Sequence, residues 1–261
     1  MKNAEKKNFQ KKVYEIYKKN KRDFPWRKTR NPYRILVSEF MLQQTQTGTV
    51  VKKYSKFLKK FPTVKSLARA PLGDVLLLWQ GLGYNRRAVR LRNAAQMIEK
   101  EFGGRIPKDE EKLTTLPGIG KGTAGAIRAF AFNEPSVFVE TNIRRVFLFE
   151  FFKRKREVKD KDIIPLVQET LDIRNPREWY GALMDYGSLL GKKEKNPNHK
   201  SAHYARQSKF KGSHREFRGE VLKSGLSLRS WDPSEIAKSL GRDRASVNKV
   251  LRELREEGFL E

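Results

Sequence analysis

The thirty residues from Leu116 to Arg145, LPGIGKGTAGAIRAFAFNEPSVFVETNIRR, restrict the fold more than any other stretch of the 261. Gly118, Gly120 and Gly122 alternate after Pro117 and precede a small-residue helical run, Thr123 to Phe132. A backbone with these glycines can turn tightly and come close to another surface, which suggests a helix-hairpin-helix. The helix that follows offers unpaired N–H groups and the positive end of its dipole to an anion, and Lys121 adds a charge beside them. The plainer reading is a glycine-rich corner between two core helices. What widens the pattern is an acid eighteen residues after Gly122: Glu140, followed by Thr141, Asn142 and the basic pair Arg144 and Arg145.

The charge balance narrows the partner. Fifty-seven lysines and arginines face 30 acids, a formal net charge of +27 spread along the chain, which favours a polyanion. With 38% hydrophobic and 11% aromatic residues the chain can still bury a core, as one large domain plus a small one or two lobes around a cleft. There is no cysteine, which excludes disulfides, thiolate zinc sites and cysteine-ligated iron–sulfur clusters. His199 and His203 have a metal-like spacing without a third clear ligand, so no metal is expected. No apolar run reaches the length of a membrane span and the lysine-rich start lacks a signal-like stretch, so a cytoplasmic, nucleoid-associated protein is expected.

Along the chain, Phe9, Val13, Ile16 and Tyr17 predict a basic amphipathic helix over residues 1 to 20. RDFPWR (22 to 27) is a proline-broken aromatic loop, and Pro32 fits the first turn of a helix reaching Gln44. That helix carries Glu39 among Val37, Phe40, Met41 and Leu42. Half-burial there would raise its carboxyl toward a range useful to a proton donor, although an ordinary surface acid has the same local sequence. The polar run Gln43, Gln44, Thr45 and Gln46 suits a surface that touches bases rather than a core. Three helices are expected between residues 50 and 104. Among them, Gly81 and Gly83 flank Leu82, so that Leu82 and Tyr84 could project as a wedge and a stacking ring beside Arg86, Arg87, Arg90 and Arg92; a turn with a solvated basic face is the alternative. Residues 191–223 shift to a basic segment, a linker or strap. Residues 224–261 suggest a winged helix-turn-helix, with helices starting at Asp232 and Asp243 and strands at 226–229 and 258–261.

Taken together, RDFPWR, SEFMLQQTQT (38 to 47), GLGY (81 to 84), LPGIGKGTAGAI (116 to 127), ETNIRRV (140 to 146) and ALMDYG (182 to 187) resemble the A/G-specific adenine DNA glycosylases, the MutY family of the helix-hairpin-helix superfamily, over roughly residues 10 to 190. The resemblance implies an all-α, two-lobed core at residues 1–190, with the N-terminal helix packing on the second lobe and duplex DNA bent so that the target nucleotide is flipped. It implies Glu39 as general acid and Glu140, where the family has aspartate, as stabiliser of the cationic sugar, with Asn142 beside it. It places Gln43, Gln44, Thr45, Leu82 and Tyr84 at the opened base pair, Arg22 and Arg27 near the adenine pocket, and Gly118, Gly120, Lys121 and Gly122 on a phosphate.

Gly122 stands where endonuclease III has its lysine nucleophile, so a monofunctional enzyme without strand cleavage is implied. The family commonly has glutamate or glutamine at Gly181. Its four cluster cysteines fall at Gly191, Asn198, Ser201 and Gln207, which implies a cluster-free member, and its C-terminal domain that reads 8-oxoguanine is replaced by the small module. The expected activity is hydrolytic release of adenine opposite 8-oxoguanine or guanine by a monomer. A thymine or uracil mismatch glycosylase of the same fold, or a DNA-binding protein without catalysis, are the alternatives.

Overall fold

The computed structural model describes residues 2–193, 196–205 and 209–260. Among them are fourteen α-helices and two short 3-10 turns. The only extended pairing is a single parallel bridge between Val158 and Ser201. In chain order the helices are α1 (Asn3–Asn20), α2 (Pro32–Leu42), α3 (Thr47–Lys60), α4 (Val64–Ala68), α5 (Leu72–Trp79), α6 (Arg86–Phe102), α7 (Glu110–Thr115), α8 (Lys121–Phe132), α9 (Thr141–Glu150), α10 (Asp160–Thr170), α11 (Pro176–Lys193), α12 (His214–Leu228), α13 (Pro233–Leu240) and α14 (Arg244–Glu256). They fall into two compact units.

The first unit contains Met1–Leu36, Pro107–Thr115 and Ile119–Arg206. Its core forms because α1 presents Phe9, Val13 and Tyr17 on one face, as the spacing predicts, to α10 and α11. Phe9 meets the rings of Phe147, Phe151 and Trp179 edge-on, and α11 also packs along α8 and α9. Gly187 allows the approach of α11 to α9, since a β-carbon there would fall 2.2 Å from the Asn142 carbonyl oxygen, and Gly125 admits the Phe138 ring onto α8, 2.9 Å from where its β-carbon would stand.

The second unit contains Val37–Ile106, Leu116–Gly118 and Gln207–Glu261. Phe40, Met41, Val50, Phe57, Leu67, Leu76, Trp79 and Leu91 fill it. Four helices, α3 to α6, occupy the stretch where three were expected, because Thr63 and Ser66 cap a separate short α4. The basic segment ends earlier than expected, since Ser213 caps α12 and helix starts at His214. The strands expected at 226–229 and 258–261 do not form among the described residues. Val221, Leu222, Gly225 and Leu226 follow a helical rather than a two-residue repeat, so 226–228 continue α12, and 258–260 form a turn and coil after α14. The module is three helices without a wing, with α12 packed on α5.

Candidate active site

The hairpin joins α7 to α8. Gly118 takes a left-handed φ of 84°, and a β-carbon there would meet the Phe40 ring at 2.9 Å and Arg90 at 3.0 Å, so this glycine is required by the fold. Its carbonyl accepts a bond from Gln43 Nε2 at 3.3 Å. Gly120 and Gly122 are different. Neither has a positive φ, both are exposed, and no atom lies within 4 Å of where their side chains would begin. Nothing inside the protein requires glycine at these two positions. Gly120 caps α8 with no side-chain bond and Lys121 is exposed beside it, which leaves a cationic helix start open to an anion.

Glu140 is the N-cap of α9. Its Oε1 accepts the backbone N–H groups of Asn142 and Ile143 at 2.8 and 2.9 Å, and its Oε2 accepts Asn142 Nδ2 at 3.2 Å. Burial pushes this carboxyl above its ordinary value. The two backbone N–H groups, the Arg144 charge and the Asn142 amide pull the other way. The arrangement fixes the carboxylate without neutralising it by an ion pair. Arg144 instead forks onto Asp160 at 2.7 Å on both oxygens. Arg145 is bonded to the Gly187 carbonyl at 2.7 Å and to Asn142 Oδ1 and Asn196 Oδ1 at 3.1 Å each.

Three of the four positions expected to carry cluster cysteines lie in or beside the same brace. The Asn198 side-chain amide donates to the Thr141 carbonyl at 3.2 Å, and Ser201 is held in the bridge to Val158. Gly191 leaves room for the Arg145 guanidinium, and Gln207 lies outside the described residues. None of these residues can supply a thiolate, so the set does not fit an iron–sulfur cluster. Among the described residues no group of three or more His, Asp or Glu could hold a metal ion.

In the second unit, Glu39 is half-buried on α2 beside the buried Ser38, Phe40 and Met41. α2 ends at Leu42, two residues before the expected Gln44, which is exposed with a φ of 53°. The residue that organises this end is Arg87, which the sequence did not single out from its neighbours. Its buried guanidinium donates to the carbonyls of Phe40, Met41, Gln43, Leu82 and Gly83 and to Thr45 Oγ1, between 2.5 and 3.0 Å. Arg87 thus ties the QQT turn to the GLGY loop. Within that loop Leu82 is not a projecting wedge. Its N–H turns back to the Trp79 carbonyl, and the side chain is only 4% exposed. Tyr84, with a φ of 46° and 43% exposure, is the side chain that projects. Arg86 pairs with Glu257 and Arg92 with the Ala70 carbonyl, so the expected row of four arginines is largely spent on structure.

Arg22 and Arg27 are also directed inward. Both clasp Asp185, whose side chain is fully buried: Arg22 Nε at 2.5 Å, Arg27 Nη1 at 2.6 Å and Arg27 Nη2 at 2.8 Å. A β-carbon at Gly181, one turn before Asp185 on α11, would touch the Tyr17 hydroxyl at 3.4 Å. That is an ordinary contact, so a β-carbon fits there without displacing Tyr17.

A hairpin with an open helix start, followed by a helix capped by a fixed carboxylate, is the order of features that the sequence resemblance to DNA glycosylases implies. The whole fold agrees. A solved structure of a thermostable thymine-DNA glycosylase is similar at 28% identity with a TM-score of 0.66, over 76% of this chain and 93% of that one. Endonuclease III trapped on DNA shares the fold at 19% identity with a TM-score of 0.58, over 88% of this chain and 99% of the other.

Residues 37–162, which include both Glu39 and Glu140, match the HhH-GPD superfamily of base excision DNA repair proteins. Among curated relatives named adenine DNA glycosylase, the one from Buchnera aphidicola subsp. Baizongia pistaciae is 38% identical over 174 residues, 65% of this chain and 49% of the relative. The one from Rattus norvegicus is 36% identical over 199 residues, covering 70% and 38%. That from Mycobacterium tuberculosis is 44% identical over 131 residues, covering 50% and 43%. The chain therefore spans about half the length of these relatives or less.

Proposed function

We propose that the protein excises adenine mispaired with guanine or 8-oxoguanine, by hydrolysis of the N-glycosidic bond and without cutting the strand. The observation that carries this reading is the capped Glu140 carboxylate, held by two backbone N–H groups at the start of α9 in a chain whose relatives are named adenine DNA glycosylase. Glu39 donates a proton to the flipped purine, the bond between the base and C1′ breaks, and its electron pair leaves with the base. The Glu140 carboxylate stabilises the cationic sugar until water adds at C1′ and passes its proton to the Glu39 carboxylate left by the first step. The helix start at Gly120, Lys121 and Gly122 holds a DNA phosphate, and Gln44 and Tyr84 are the exposed groups of the two loops tied by Arg87 that touch the opened base pair. Gly122 has no amine, so no Schiff base forms with the sugar. The hydrogen-bonded brace around Arg145 stands in for an iron–sulfur cluster. The reading carries with it a monomer that works in the cytoplasm on chromosomal DNA; no helix among the described residues is long and apolar enough to cross a membrane.

A second reading, excision of thymine or uracil from mispairs with guanine, is favoured by the likeness to the thymine-DNA glycosylase. The proton donor separates catalysis from binding. Glu39→Gln is expected to bind an adenine:8-oxoguanine duplex like the unaltered protein while single-turnover excision falls by about 10²–10⁴-fold. Excision near the unaltered rate would remove Glu39 from the acid role. Glu140→Asp, which restores the family's residue, is expected to keep measurable excision at a rate about 10²-fold lower, because the shorter side chain withdraws the carboxylate by about 1 Å.

A further inference from the structure

The three C-terminal helices are used by no step of the proposed reaction, yet they are built with care. Asp232 caps α13 by accepting the N–H groups of Ser234 and Glu235, and Asp243 caps α14 through Ser246 at 2.7 Å. Between them Gly241, with a φ of 61°, ends α13 and turns the chain within three residues. The result is a helix-turn-helix. Val247, Val250, Leu251 and Leu254 bury one face of α14 against α12 and α13. At 100° per residue the opposite face carries Ala245, Lys249, Arg252 and Glu256, with Asn248, Arg255 and Arg244 along one side of it, and all seven are exposed.

Two acids near this face are already paired. Glu253 contacts His214 at 2.9 Å, and Glu257 pairs with Arg218 at 2.7 Å and Arg86 at 2.8 Å. The one exposed acid of the helix, Glu256, lies on the face itself, in the last turn and four residues after Arg252, so the cations occupy the face as far as Arg252. The Arg86 pair and the packing of Leu226 beside Gly73 fasten the module to the rest of the second unit, so the face has a fixed support.

We propose that this face of α14 is a second duplex-DNA-binding site, seated in a major groove, that grips undamaged DNA next to the base pair being repaired. The chemistry selects DNA over a protein partner. A helix that docks in a protein groove needs large apolar anchors at i, i+3, i+4 and i+7, and this face has none beyond Ala245. It offers cations for phosphates and an amide at Asn248, a side chain able to pair with adenine in the major groove. At thirteen residues α14 is about 20 Å long, enough to lie along a groove about 12 Å wide.

The test uses the full chain and an undamaged labelled duplex. With Arg244, Lys249 and Arg252 all changed to Gln, the dependence of log affinity on log salt is expected to lose about 2.7, at roughly 0.9 per phosphate contact, and binding at low salt to weaken about tenfold. Single-turnover excision at saturating protein is expected to stay unchanged, which separates this result from a failure of the glycosylase reading. An unaltered salt slope and affinity would overturn the proposal. A second measurement does not depend on that variant folding. The chain has no cysteine, so Ala245→Cys can carry a single photo-crosslinker. It is expected to capture duplex DNA well above the same label at Ser227→Cys on α12, and equal or no capture would also overturn the proposal.

Discussion

Gly187→Ala perturbs the site without touching a chemical group in it. The new methyl would lie 2.2 Å from the Asn142 carbonyl oxygen and 2.7 Å from its carbonyl carbon and Cβ, all in the first turn of α9. A carbon and an oxygen in ordinary contact stand about 3.3 Å apart, so α9 and α11 have to part by about 1 Å at this point. Overpacking of this kind costs about 1–3 kcal/mol, which for a chain of this size lowers Tm by roughly 2–12 °C. The kinetic effect is larger in proportion. Glu140 takes its position from the N–H groups of Asn142 and Ile143, and a displacement of about 1 Å at a reacting group costs about 10²-fold in rate. Single-turnover excision and a thermal melt on the same preparation measure both. Loss of stability with an unaltered rate would show that α9 moves without carrying Glu140; no change in either would refute the argument that the two helices touch through this glycine.

Arg87→Met leaves five carbonyls without their shared donor and is expected to cost about 3–5 kcal/mol by thermal or denaturant unfolding. Arg87→Lys should rescue little, because an ammonium cannot fork across the same acceptors. Asp185→Asn removes the buried charge that Arg22 and Arg27 share and is expected to cost about 3 kcal/mol, the low end for breaking a buried pair because both arginines keep some access to water. The Glu140 carboxyl is held above its ordinary value, so the folded protein binds this proton more tightly than the unfolded chain. The stability linked to it is present at low pH and is lost as pH rises through the raised folded value. Glu140→Gln is therefore expected to melt higher than the unaltered protein at neutral pH while losing excision. In the unaltered protein the proposed role needs the carboxylate, so excision should fall on acidification at a pH above that of an ordinary carboxyl group.

Much of the fold was legible because local rules and long-range packing agree. The lysine-rich start shows its apolar stripe at Phe9, Val13 and Tyr17, and the hairpin announces itself through Gly118. What stayed hidden depends on partners far away in sequence. Arg86, Arg87, Arg90 and Arg92 look alike as letters, and only the fold makes Arg87 a buried hub, Arg86 a partner of Glu257 and Arg92 a prop under Ala70. Leu82 between two glycines reads as a wedge because nothing local shows that its own N–H folds it back onto Trp79. The missing wing has a similar cause. The Trp231 ring packs over Gly225 and the helix runs straight through to Leu228, a contact that nothing local to 226–229 announces. At the candidate site the acids and hairpin glycines were readable as residue types. The inward clasp of Arg22 and Arg27 on Asp185 was not, since nothing near either arginine announces an acid about 160 residues away.

The most direct test incubates the protein with end-labelled duplexes carrying adenine opposite 8-oxoguanine, adenine opposite guanine, thymine opposite guanine and uracil opposite guanine, each analysed with and without alkali. The account predicts strand breaks only in the two adenine duplexes and only after alkali, as hydrolysis by Glu39 and Glu140 without an amine at Gly122 requires. Breaks in the thymine or uracil duplexes alone, or breaks that need no alkali, would contradict it.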